Sequence, residues 1–190
     1  MKRWYLMRHG QTDYNRRRCF YGSHDVSINE QGQKDARQLA LLMQERTVDA
    51  IYTSSLKRTK ETAQLAFPDR QVKSLGDFDE RGFGQWEGLT ADEIEAAFPE
   101  VWQAWLEAPF EITPPEAEVF ADFQTRVWAA TDRLLDSGVE SIALVAHLGV
   151  LRLIYQHLVD GEAIFWNIDV PQGRVLLLEE RDQNWQATLL

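Results

Sequence analysis

The run Ser141-Ile142-Ala143-Leu144-Val145-Ala146 is apolar almost without interruption. A strand with one face in water alternates apolar and polar side chains, whereas a strand covered on both faces does not. This segment therefore reads as a central strand of a parallel sheet with helices on either side. Further strands are predicted over 3–7, 50–53, 71–74 and 175–178, with 185–190 beside the last of them. Asn29 reads as the cap of a helix that carries Ala36, Leu39, Ala40 and Met43 at helical spacing. Ser54 or Ser55 is expected to cap a second helix reaching about residue 67. Thr90-Ala91-Asp92-Glu93 is a capping box, and Pro99 ends the helix that it opens. Helices are also expected over 100–107, from about 120 to 135, and over 150–158. This alternation predicts an α/β fold: a three-layer α/β/α sandwich around a mostly parallel central sheet. Residues 82–115 interrupt it and read as a small helical, lid-like insertion within a single domain spanning 1–190.

With a net charge of −10, the chain is a poor match for non-specific nucleic-acid binding, which needs a basic surface to replace counterions. No apolar stretch approaches membrane-spanning length, and the one following Met1 stops at Arg8, too short for a signal's apolar region. The single cysteine, Cys19, cannot form an intrachain disulfide, which favours a reducing compartment. A cytoplasmic protein with no nucleic-acid or membrane partner is expected.

Three predicted strands end in functional side chains. The first gives Arg8-His9-Gly10-Gln11-Thr12, the second Ser54-Ser55-Leu56-Lys57-Arg58, and the apolar central strand Ala146-His147-Leu148-Gly149. Ligands of open α/β sheets collect outside the carboxyl ends of strands. Arginine grips phosphate with a planar fork of donors, histidine can be nucleophile, acid or base, and helix N-termini attract anions. Taken singly, Arg8 suits an edge ion pair, Arg58 a helix surface, and His147 a strand end bonded to a carbonyl. Taken together they describe a phosphate site. Arg16-Arg17-Arg18 is either a solvated loop or a substrate-facing patch.

These motifs resemble the histidine phosphatase superfamily, which includes the phosphoglycerate mutases. The match runs through Arg8-His9-Gly10-Gln11-Thr12 with Asn15, Ser54-Ser55-Leu56-Lys57-Arg58-Thr59, Asp79-Glu80-Arg81 with Gly84-Gln85-Trp86-Glu87-Gly88, and Ala146-His147-Leu148-Gly149-Val150. The resemblance implies a phosphoglycerate mutase-like fold, with His9 as the nucleophile that becomes phosphohistidine. Arg8, Arg58 and His147 would neutralise the phosphate oxygens, and Asn15 and the Leu148 N–H would add contacts. Glu80 would protonate the leaving group and later activate water, with Glu87 as the competing carboxylate. Gly10 would give the backbone room beside the phosphate. Neither a cofactor nor a metal is implied.

Two departures stand out. Leu148 occupies a position where many members have glycine, and Glu116-Ala117-Glu118-Val119 replaces a Gly-Gly-Glu-Ser stretch, so local fit and substrate preference are where this chain should differ. The aromatics Phe83, Trp86, Phe98, Trp102, Trp105 and Phe110 either pack the inserted helices or, for one or two, line a pocket for a bulky leaving group. The stretch from Phe165-Trp166-Asn167 to Gln172-Gly173 is similar to α-ribazole-5′-phosphate phosphatases. The expected activity is hydrolysis of a small-molecule phosphate ester, α-ribazole 5′-phosphate among the candidates, by a monomer or homodimer. The alternatives are a mutase primed by 2,3-bisphosphoglycerate and a weakly active phosphoprotein-binding module.

Overall fold

The computed structural model describes residues 1–182 and 184–190. Its strands are β1 (Arg3–Arg8), β2 (Ala50–Thr53), β3 (Val72–Ser74), β4 (Ser141–Ala146), β5 (Val175–Arg181) and β6 (Asn184–Leu189). The helices are α1 (Asp13–Arg17), α2 (Glu30–Met43), α3 (Lys57–Ala66), α4 (Ala91–Ala97), α5 (Pro99–Glu107), α6 (Phe120–Asp136) and α7 (Leu148–Leu158). One six-stranded sheet runs in the order β3-β2-β4-β1-β5-β6. The first four strands in that order are mutually parallel. β5 lies antiparallel to β1 and turns back into β6, so the sheet is mixed, with its parallel part at the centre and one side.

β4 fills the place its composition demands. Ile142, Leu144 and Ala146 point into one core with Phe123 and Val127 of α6 and with Val150, Leu151 and Ile154 of α7. Ala143 and Val145 point the other way, to Leu39 and Met43 of α2 and Ala63 and Ala66 of α3. β1 divides in the same manner, Trp4 and Leu6 to one core and Tyr5 and Met7 to the other. Each large apolar side chain buried in this way contributes about 1.5–3 kcal/mol. A third, smaller cluster lies apart: Trp86, Ile94, Trp102 and Trp105 from segment 82–115 pack with Phe20 and Phe83.

Asn29 caps α2 by accepting from the Gly32 N–H, and the Thr90–Glu93 capping box opens α4. α3 departs from expectation. Its cap is Leu56, with no side-chain bond, because both serines are engaged elsewhere, Ser54 with His147 and Ser55 with Asp79. The Asp25 carboxylate instead accepts from the Lys57 N–H at 2.7 Å. Among the described residues, no helix is long and apolar enough to cross a membrane.

Candidate active site

The register of the sheet sets the strand ends side by side. Arg8 pairs with Ala146, and Thr53 with Val145, so His9, His147 and Ser54 emerge together at the carboxyl edge. They open into a cleft of about 480 Å³ lined by Arg8, His9, Asn15, Arg58, Glu80, His147 and Leu148, together with Gln11, Arg18, Cys19, Phe20, Tyr21, Phe83 and Gln172. Every site residue expected from the sequence is thus gathered here.

His9 is buried, 3% exposed. Its Nδ1 lies 2.8 Å from the Gly10 carbonyl oxygen. A carbonyl only accepts, so Nδ1 carries the proton and Nε2 keeps its lone pair. Burial pushes the His9 pKa well below its ordinary value, and the positive charges of Arg58 and Arg8 add to the effect. The imidazole is therefore neutral near pH 7. Gly10 does not serve the purpose expected of it: a Cβ there would sit 2.3 Å from the Gly32 carbonyl oxygen of α2. The missing side chain makes room for a helix behind the strand, not for phosphate.

Arg58 is wholly buried. Nη1 donates to the His24 carbonyl (2.9 Å), Nη2 to the Gly22 carbonyl (2.7 Å) and Nε to Nδ1 of His147 (3.3 Å). Because His147 Nδ1 accepts, its proton lies on Nε2, which donates to Ser54 Oγ at 2.8 Å. Ser54 in turn donates to Thr59, whose own hydroxyl proton goes to the Leu56 carbonyl. Burial, then Arg58, His9 and Arg8, lower the His147 pKa well below the ordinary range. The two imidazole rings stand 5.2 Å apart. Arg8 Nε is buried without a partner among the described residues.

Glu80 reaches the same cleft. Its Oε1 accepts from the Arg81 N–H and its Oε2 from the Gly149 N–H, each at 3.0 Å. Gly149 is required for this approach, since a Cβ there would meet Oε1 at 2.4 Å. Glu87 is bound otherwise, accepting from the N–H groups of Ser23 (2.7 Å), His24 (2.5 Å) and Phe83 (3.0 Å). Burial alone would raise its pKa, but those three donors outweigh it and hold the carboxyl below the usual range. Glu87 fastens a turn. Asn15 Oδ1 accepts from the Thr12 N–H and from Gln172.

Of the three consecutive arginines, Arg16 pairs with Asp13 and only Arg18 lines the cleft, in a left-handed conformation at φ 59°. Among the inserted aromatics, Phe83 reaches the cleft and Trp86, Trp102 and Trp105 pack on one another. At the altered stretch Glu116 adopts φ 62°, while Glu118 takes a two-point bond from Arg126 at 2.7 and 2.8 Å. Sequence reasoning missed Arg126. It also donates to the carbonyls of Asp77 and Asp79, both at 2.8 Å, and so fixes the segment that carries Glu80. Nothing in an arginine on the second turn of an amphipathic helix marks it for that task. Ser54 was legible only as a motif member and a candidate helix cap, and Tyr21, which also lines the cleft, gave no signal of its own. Among the described residues, no cluster of three or more His, Cys, Asp or Glu is arranged to hold a metal ion.

The profile of the Histidine phosphatase superfamily (branch 1) matches residues 4–190. A proposed phosphoserine phosphatase 2 of Hydrogenobacter thermophilus is 34% identical over 180 residues, spanning 92% of this chain and 88% of that protein. The adenosylcobalamin/alpha-ribazole phosphatase of Escherichia coli is 30% identical over 177 residues, spanning 91% and 87%. Among solved structures, a proposed alpha-ribazole-5′-P phosphatase from Escherichia coli superposes with a TM-score of 0.92 at 28% identity, covering 100% of this chain and 95% of the other.

Proposed function

The chain belongs to the histidine phosphatase superfamily, and from that premise we propose that it hydrolyses a small phosphate monoester through a phosphohistidine on His9. The observation that carries this reading is the His9 tautomer: a neutral ring with a free Nε2 lone pair, facing a cleft whose two arginines have open donors. Nε2 attacks phosphorus in line, the N–P bond forms, and the bond to the ester oxygen breaks. Glu80 gives its proton to the departing alkoxide. Water then attacks the phosphohistidine, Glu80 takes the proton from that water, and the N–P bond breaks to release inorganic phosphate.

The charge spread over the equatorial oxygens is met by Arg8 and Arg58. His147 meets it too, because an arriving dianion favours its protonated form. The Leu148 N–H at the start of α7 and the Asn15 amide complete the cradle. Fixed charge of this kind is the largest contribution a protein makes to phosphoryl transfer. No step calls on a metal or an organic cofactor.

The leaving group enters past Phe20 and Phe83, whose rings meet edge to face at 5.4 Å, and past the amides of Gln11 and Gln172. Aromatic edges beside amide groups suit a heterocycle, which with the relatives' names makes α-ribazole 5′-phosphate the first substrate to try and phosphoserine the second. Purified protein is expected to release inorganic phosphate from p-nitrophenyl phosphate and from a member of a metabolite panel, equally well with chelator present. His9→Ala is expected to lose about 10⁴-fold or more in kcat. Equal turnover by His9→Ala overturns the reading. Conversion of 3-phosphoglycerate to 2-phosphoglycerate without phosphate release, in the presence of 2,3-bisphosphoglycerate, replaces it with a mutase.

A further inference from the structure

Arg58 is a buried cation with no acidic partner: among the described residues no carboxylate lies within ion-pairing distance of it. Glu80, Asp25 and Glu87 act on it only from beyond contact, and a buried charge with no counter-ion in contact is costly, so other groups must hold it. Two of its supports are the carbonyls of Gly22 and His24. Immediately before Gly22 stands Tyr21, whose ring lies under the guanidinium, 4.7 Å from the ring centroid. The ring is itself anchored. Tyr21 Oη lies 2.8 Å from Thr12 Oγ1, and because Thr12 spends its own proton on Asn15 Oδ1, the tyrosine is the donor. Thr12 caps α1 three residues beyond the nucleophile.

We propose that Tyr21 is the positioning residue for Arg58, its aromatic face taking the place a carboxylate would occupy in an ordinary buried ion pair. The difference matters for the reaction. A carboxylate would hold the guanidinium equally well but would cancel its charge and occupy two of its donors. A π face attracts the cation through its quadrupole and adds no net charge, and peptide carbonyls do likewise. Three of the five guanidinium N–H groups are spent on Gly22, His24 and His147. One N–H on each terminal nitrogen stays free, and the full positive charge is kept for the phosphoryl group. The tyrosine also ties Arg58, through Thr12 and Asn15, to the loop that follows His9, so cation and nucleophile share one scaffold.

This inference rests on the phosphatase reading, and its test separates the two. Position 21 is replaced by phenylalanine and then by phenylalanines carrying one, two and three ring fluorines, which weaken the quadrupole with little change of shape. Tyr21→Phe is expected to stay within about threefold of wild type in kcat/KM for p-nitrophenyl phosphate, since the face remains. Successive fluorines should lower kcat/KM stepwise to about tenfold in all, the size of a desolvated cation–π contact. The affinity for inorganic phosphate, read by calorimetry, should fall in parallel while the unfolding midpoint stays level. Tyr21→Leu should match the trifluorinated variant.

A flat fluorine series in an enzyme that is active and depends on His9 overturns the role of Tyr21 and leaves the phosphatase reading intact. Losses that follow the unfolding midpoint overturn it as well, by making the ring a packing element. A wild-type protein that releases no phosphate from any ester defeats the phosphatase reading, and phosphate calorimetry then still decides whether the ring tunes Arg58.

Discussion

The floor of the cleft and the brace behind it use the same residue types in opposite ways. In the brace, Arg126 meets Glu118 at two points and spends its remaining donors on carbonyls, and Glu87 is saturated by three N–H groups. On the floor, among the described residues, Arg8 Nε has no partner and Arg58 no counter-ion in contact, and both histidines are held neutral. A buried polar group left open costs stability, so the floor is affordable only because the brace and the two apolar cores overdetermine it. Closed charge marks structure, and open charge marks where a ligand completes the bonding.

The sharpest way to break this contrast is to exchange the fates of two carboxylates. Glu80→Gln is expected to slow hydrolysis of an alkyl phosphate by about 10²–10⁴-fold, and p-nitrophenyl phosphate much less, because its leaving group hardly needs a proton. Glu87→Gln should leave the rate nearly intact and lower stability by about 1–3 kcal/mol, measured by denaturant unfolding. If Glu87→Gln shows the leaving-group dependence instead, the acid has been misassigned.

A smaller effect is expected at the brace itself. Arg126→Met strands Glu118 and the carbonyls of Asp77, Asp79 and Glu80, which should cost about 3 kcal/mol and loosen the loop after β3 that carries Glu80. Stability unchanged by this substitution would remove the brace from the account.

The smallest effect concerns the neutral histidines. Their native pKa values lie below the unfolded value of about 6.5. Across that window the unfolded chain binds more protons than the native one, so stability is fully present above about pH 6.5 and declines as pH falls toward the native pKa values. Each histidine contributes up to about 1.4 kcal/mol per pH unit to that decline. His147→Gln should therefore flatten the acid limb of an unfolding-midpoint profile relative to wild type. Parallel profiles would mean that His147 is protonated in the native state.

What the sequence made legible was whatever lies within a few residues of a strand end. Arg8, His9, Arg58 and His147 are placed by sheet register, and register follows from apolar patterning. Asn29 and the Thr90–Glu93 box could be read because caps are local. Partners brought together from afar could not. Gln172 reaches Asn15 across 157 residues, and Asp25 caps Lys57 from 32 residues away. Ser54 looked like a cap for a sound local reason, yet its hydroxyl is claimed by His147, a residue that only β4 brings beside it. A mostly parallel sheet was legible, but which strand runs against the rest was not, since the direction of β5 is decided by the path of the chain after α7 and not by its composition.

Gly10 and Gly32 stand where two stretches of backbone touch: a Cβ on Gly10 would fall 2.3 Å from the Gly32 carbonyl oxygen, and one on Gly32 would fall 2.2 Å from the Gln11 carbonyl oxygen. Side chains yield to a neighbour by changing rotamer; a peptide carbonyl has no such recourse. Each of the two positions is therefore closed to any side chain at all. A single base change that gives Gly32 a methyl group, on a helix that takes no part in the chemistry, is answered at the Gln11 peptide two residues past the nucleophile, and no change of side chain there can move a carbonyl out of the way.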